Sequence, residues 1–347
     1  MRRAMIGAVV LAAATAIQVA PAALASSRAP SRPVQSPTVH TVMVGSNPGD
    51  IAVSGRRSRA FVLNDGSVSV LSLRTHRELA EVGTGFHDQT ALGLVRNGTR
   101  AYIGTFDLAR MKVLNTTTLK VTDKVRVGMG ATAIVAARTK AGQFAYVTLL
   151  SAQGASGRVV VVRASDTKVV KRIKLPAGAQ TAQTTPSGRS VWVGSAVAGR
   201  IWVVSTRRQK LVRRISVTHS GPLMSIAFTA NGKRAWVAGL GGVSVVSVAS
   251  GRLLAFVPLN RIFPHTSNLN AGPIALNNTG TAALVVNSTF PDTPGRGTVA
   301  VLNTRTLRVT SRTRVGTEPI GLAIDRARHT TYVSNFQDDT VSFFRTP

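Results

Sequence analysis

The stretch Ala60-Phe61-Val62-Leu63-Asn64-Asp65-Gly66-Ser67-Val68-Ser69-Val70-Leu71 sets the reading of the whole chain. Two short runs of aromatic and β-branched residues flank a polar, glycine-containing turn, the composition of an antiparallel strand pair. The first run recurs as Ala101-Tyr102-Ile103, Ala145-Tyr146-Val147, Val191-Trp192-Val193, Ala235-Trp236-Val237, Ala283-Leu284-Val285 and Thr331-Tyr332-Val333. Successive starts lie 41, 44, 46, 44, 48 and 48 residues apart. The second run follows in step at Met111 to Leu114, Val159 to Val162, Ile201 to Val204, Val243 to Val246, Val299 to Leu302 and Val341 to Phe344.

Working outward, each pair is preceded by a V-G turn and a short apolar strand and followed by a more polar fourth strand. Four strands in each unit of 40 to 50 residues are propeller blades. Their strands can be apolar on both faces because neighbouring blades cover both. The last unit stops after its third strand, whereas Val39 to Val44 is a fourth strand without a unit. The expected fold is therefore all-β, a seven-bladed β-propeller of four-stranded antiparallel blades. Pairing of the N-terminal strand with Val341 to Phe344 closes the ring and removes a free edge.

Ahead of the repeats, Met1-Arg2-Arg3, the apolar run Met5 to Val19 and Ala23-Leu24-Ala25 before Ser26 read as a secretory signal over residues 1–25. The apolar run is too short to favour a spanning helix. The Ser-, Pro- and Arg-rich residues 26–38 read as a flexible linker, and 39–347 as the propeller. The expected location is secreted or extracellular, associated with the cell wall, with no transmembrane anchor after signal cleavage and a monomeric state. The chain has no cysteine, which excludes disulfides, C-x-x-C-H haem attachment and a lipidated N-terminal cysteine. No cofactor is expected.

Lys and Arg number 43 against 13 Asp and Glu, a net charge of +30 that attracts polyanions. In a propeller the turns joining strands one to two and three to four share one face. Arg56, Arg57, Arg59, Arg96, Arg100, Arg189, Arg207, Arg208, Lys210, Lys233 and Arg234 fall in or beside these turns, as do Arg138 and Lys140. Asp50, Asp65, Asp88, Asp107, Asp292, Glu318, Asp338 and Asp339 fall in loops of the other face. One basic face for DNA or a phosphate-rich cell-wall polymer is the expected binding surface, gripped by guanidinium groups.

The repeats resemble the YVTN β-propeller family through Val44-Gly45-Ser46-Asn47-Pro48-Gly49-Asp50-Ile51-Ala52, Ala60 to Asn64, Val315-Gly316-Thr317-Glu318-Pro319 and Tyr332-Val333-Ser334-Asn335. The resemblance spans residues 39–347 and implies the fold. For function it implies a range: surface-layer proteins, YncE-like DNA binders, lactonases and propeller parts of quinone and haem enzymes. Leu175-Pro176-Ala177 and Val217-Thr218 depart from the turn motif.

A non-catalytic binding or scaffold role is the expected function. The alternative is a lactonase-like hydrolase of small molecules with its site on the acidic face, where Asp50, His87, Asp88 and Glu318 would converge around a metal ion. G-x-S-x-G, P-loop and H-E-x-x-H motifs are all missing from the chain. Phe86, Phe263 and Phe290 are the aromatic residues outside strands that could stack on bases. Residues 258–273 and 287–297 are irregular insertions suited to recognition. Asn97, Asn115, Asn277 and Asn287 head glycosylation sequons but sit where turns favour asparagine.

Overall fold

Each aromatic triplet forms the second strand of a four-stranded antiparallel sheet, as Arg59–Leu63, Arg100–Thr105 and Gly142–Leu150 illustrate. Seven such sheets form in the computed structural model, which describes residues 37–151, 156–197, 199–217, 219, 221–264, 270–288 and 296–347. The expected signal and nearly all of the linker lie outside the described residues. Blades one to six span residues 51–83, 89–126, 131–175, 179–216, 223–258 and 270–317 in chain order. Blade seven combines residues 319–345 with His40–Met43.

Ring closure follows the expected pairing. His40, Thr41, Val42 and Met43 lie opposite Phe343, Ser342, Val341 and Thr340. Val44 N–H donates to the Asp339 carbonyl at 3.0 Å, and Asn47 N–H to Asp339 Oδ1 at 2.7 Å, which ties the following loop to blade seven.

The apolar runs are used on both sides. Seven buried clusters form, one at each contact between neighbouring blades. The seam between blades seven and one is built like the rest, with Tyr332 and Val341 against Ile51, Val62 and Leu71. Trp192, Trp202, Trp236, Tyr102, Tyr146 and Tyr332 are all fully buried, so these rings serve packing first.

The turn between strands three and four repeats in six blades. A left-handed residue occupies it each time: His76, Leu119, Thr167, Gln209, Gly251 and Leu307. Its N–H donates to the carbonyl four residues back, as from Gln209 to Ser205 at 2.8 Å, and a β-bulge follows. Short polar side chains complete the turns. Asn115 Oδ1 accepts from the N–H groups of Thr117 and Thr118, and Asn277 Oδ1 from those of Thr281 and Ala282. Asn97 is left-handed at φ 57°. Three of the four sequon asparagines thus carry turn geometry.

Two loop aromatics are corrected by the structure. Phe86 is buried beneath the Lys112 ammonium, 4.1 Å from the ring centroid, and Phe263 is buried behind the short helix Leu259–Ile262. Neither presents a face to a base. Phe290 lies outside the described residues, as do parts of both insertions.

Candidate functional site

The basic turns enclose space where blades three and four meet. Between the first two strands of blade three, Thr139 pairs with Gly142 across a two-residue turn, Lys140-Ala141, and Thr139 Oγ1 accepts the Ala141 N–H at 3.2 Å. In blade four, Gly188 at φ 68° lets the chain turn back, its N–H donating to the Thr185 carbonyl at 2.8 Å. This projects Arg189. Ser205 Oγ accepts the Arg208 N–H at 3.2 Å and so fixes the next turn, which carries Arg207 and Arg208.

Thr206 locks these turns together. Its N–H donates to the Arg189 carbonyl at 3.0 Å and its hydroxyl to the Gly188 carbonyl at 2.7 Å. From blade three, Tyr146 donates its hydroxyl to the Thr206 carbonyl at 3.3 Å, and burial pushes that phenol up to about 12, which keeps the donor protonated. The result is a cleft of about 930 Å³ lined by Phe144 and by Arg138, Lys140, Arg189, Arg207 and Arg208. Among the described residues, no carboxylate lines it. None of the five cations belongs to an ion pair among the described residues.

Of the eleven sequence candidates, Arg189, Arg207 and Arg208 line this cleft, while Lys210 begins the outer strand beyond it. Lys233 and Arg234 line a smaller cleft of about 230 Å³ between blades five and six. Arg56, Arg57, Arg96 and Arg100 stand on the turns of blades one and two. Arg59 is partly committed to structure, donating to the Thr116 carbonyl of the next blade at 3.0 Å.

Several arginines of the outer strands do comparable structural work. Arg172 donates to the Val127 carbonyl at 2.6 Å, Arg213 to the Ala249 carbonyl at 2.8 Å and Arg312 to the Ile262 carbonyl at 2.9 Å. Each bridges two neighbouring blades. Part of the arginine excess is therefore a set of inter-blade ties rather than binding surface.

The opposite face differs from its expected acidic character. Its carboxylates mostly cap backbone: Asp65 Oδ1 accepts the Asp88 N–H at 3.2 Å and Asp338 Oδ2 the Thr317 N–H at 2.8 Å. Cations flank them at the strand ends, where Arg110 stands opposite Arg126 and Arg158 opposite Lys174. The structure does not assemble Asp50, His87, Asp88 and Glu318 into a metal centre. His87 Nδ1 lies 3.3 Å from Asp65, and Glu318 accepts from the Gln337 amide at 2.9 Å. Among the described residues, no three His, Asp or Glu side chains are grouped to hold a metal ion.

Asp50 has a different role. It precedes the innermost strand of blade one, and its Oδ2 accepts the Leu92 N–H from the innermost strand of blade two at 3.2 Å. Thr132 makes the analogous tie from blade three to the Ala179 carbonyl of blade four at 2.7 Å. Asp50 remains exposed to solvent, yet the surrounding inner strands desolvate its carboxyl, and this governs its charge. Desolvation raises its pKa to about 6, against the lowering effect of the Leu92 and Ile51 N–H groups.

The folded carboxyl therefore holds its proton more tightly than the unfolded one. Stability should fall as pH rises from about 4 through about 6. Asp50→Asn should flatten that part of the profile and raise Tm at pH 7.5 by about 1–3 °C, discounting for the screening water provides. Calorimetric melts of both proteins at pH 4.5, 6 and 7.5 measure it. An unchanged difference between the two across that range would remove Asp50 as the titrating group.

No family model matches the chain, and no curated protein matches it in sequence. Among solved structures, hydrazine synthase of Kuenenia stuttgartiensis is similar with a TM-score of 0.74 at 16% identity, over 86% of this chain and 96% of that one. The β-propeller domain of Cps50 (Swd1) from Myceliophteria thermophila gives 0.71 at 12% identity, over 89% of this chain and 100% of that one. These similarities show the fold, a β-propeller, at identities where activity does not follow.

Proposed function

We propose that this propeller, of the YVTN type, is an exported protein that binds phosphate-bearing polyanions at the cleft between blades three and four, without catalysis. The observation that carries the reading is five cations from two blades around one concavity that no carboxylate among the described residues lines. Guanidinium groups on braced turns can take up phosphate oxygens two at a time. The wider face adds Arg56, Arg57, Arg96 and Arg100, an extended basic surface suited to a polymer rather than a small solute. Contacts of this kind read backbone charge, so sequence preference should be weak.

Titration of fluorescent duplex DNA and of polyphosphate into the full chain tests it. With about four to five phosphates neutralised, affinity should fall on the order of 100-fold between about 50 and 200 mM salt. If neither polymer binds at low salt, or if binding ignores salt, the cleft is a solvated surface and the reading is wrong.

A further inference from the structure

The smaller cleft between blades five and six is lined on its blade-five side by Asn231, Lys233, Arg234 and Trp236. Trp236 stands where Tyr146 stands in blade three. Tyr146 donates to the Thr206 carbonyl of the neighbouring turn, and Tyr332 shares a 2.9 Å hydrogen bond with His76 Nδ1 across the seam between blades seven and one. Trp236 breaks this pattern. It lines the cleft, is fully buried, and its indole N–H has no hydrogen-bond partner among the described residues. The hydroxyl of Thr304, the counterpart of Thr206, donates to the Gly280 carbonyl at 2.6 Å, as that of Thr206 does to the Gly188 carbonyl.

A buried N–H without an acceptor is rare in native structures and needs a reason. The other groups lining the cleft supply one. Asn231 Oδ1 accepts from the Thr229 hydroxyl at 2.8 Å and from the Lys233 N–H at 3.0 Å, so what Asn231 has left to offer is its amide NH₂. Lys233 and Arg234 add two cations; among the described residues neither is in an ion pair and no carboxylate lines the space. The site presents donors and positive charge without the matching acceptor. At about 230 Å³ it is smaller than the roughly 300–1,000 Å³ of drug-sized ligand sites, which fits one anionic group and the atoms attached to it.

We infer that this cleft is a discrete oxyanion site, taking a phosphate or sulfate group with the Trp236 N–H as its buried donor and Lys233 and Arg234 as its charge. The inference goes beyond the polymer reading, because it requires a small anion to bind even if no polymer does. Indole N–H donation adds a direction that a diffuse basic surface lacks.

The full chain contains three tryptophans, so its indole N–H resonances provide the test with two internal controls, Trp192 and Trp202. Inorganic phosphate and sulfate are titrated at constant ionic strength against sodium chloride, with Trp236→Phe assigning the signal. The Trp236 resonance should shift saturably with phosphate and sulfate while the other two stay. The double variant Lys233→Ala/Arg234→Ala should weaken binding by about 10-fold or more with all three indole signals otherwise in place. Trp236→Phe should weaken phosphate binding measured by calorimetry. A Trp236 signal that does not move, that moves equally in chloride, or that responds unchanged in the double variant overturns the site. If Trp236→Phe does not fold, the double variant decides alone. Phosphate failing while DNA still binds sinks this site and spares the polymer reading, and the converse result does the opposite.

Discussion

Removing residues 1–44 should lower Tm by roughly 5–10 °C and make the protein self-associate, whereas removing residues 1–38 should change neither. The difference between the two truncations is the strand His40–Met43 and its four paired positions on blade seven. Its loss also strips Val42 and Val44 from the cluster formed by Ile51, Tyr332 and Val341. Backbone ladder and apolar contacts together contribute roughly 3–5 kcal/mol. The exposed edge at Thr340–Arg345 would then be a template for a second chain. Melting curves and size-exclusion chromatography of the two truncations measure both effects, and equal melting of both would show that the ring is closed by side-chain packing alone. The same seam has an acid-sensitive component. His76 stacks on Phe343 with centroids 4.4 Å apart, and burial, with His40 and Arg328 nearby, holds its pKa below the ordinary 6.5. Its neutral form belongs to the folded state, so its contribution is present above about pH 6.5 and is lost as pH falls below it.

The ring was legible in the sequence because a blade is covered on both faces. That requirement writes Phe61, Tyr102, Tyr146, Trp192, Trp236 and Tyr332 into one position of the repeat, and counting units exposes the displaced fourth strand at its other end. The cleft was legible only in part. Turn order tells which residues share a face, so Arg189, Arg207 and Arg208 could be placed together. It does not tell which adjacent turns enclose a concavity, because that depends on Thr206 tying two turns of blade four and on Tyr146 reaching it from blade three. Thr116, Thr206 and Thr304, each directly after the third strand and each donating to a glycine carbonyl, were the available signal for these ties. Charge sorting also overstated the contrast between the faces. An acid such as Asp338 looks like a surface charge in the sequence, whereas in the structure it caps the Thr317 N–H. Arg172, Arg213 and Arg312 add to the net positive charge, yet they join blades through carbonyl oxygens that no sequence pattern displays.

Reversing Arg207 and Arg208 to glutamate should weaken duplex DNA or polyphosphate binding on the order of 100-fold at about 50 mM salt, and reduce the salt slope by about two contacts. Both residues lie on a turn whose backbone bonds, from Gln209 to Ser205 and from Thr206 to Arg189, do not involve their side chains. Exposed turn substitutions of this kind seldom change stability by more than about 0.5 kcal/mol, so melting should be nearly unaffected. The informative control is Arg110→Glu with Arg126→Glu. That pair stands in register on the outer strands of blade two, near the opposite face, and its reversal changes net charge by the same amount. A ligand attracted only by the overall field of a +30 chain would respond similarly to both double variants. A ligand seated in the cleft would lose most of its affinity with the first and keep it within a few-fold with the second, because screening confines each charge to about 10 Å at 0.1 M salt. Fluorescence anisotropy titrations at three salt concentrations separate these outcomes. Equal weakening by both variants would assign the binding to net charge and would leave the cleft between blades three and four without a function of its own.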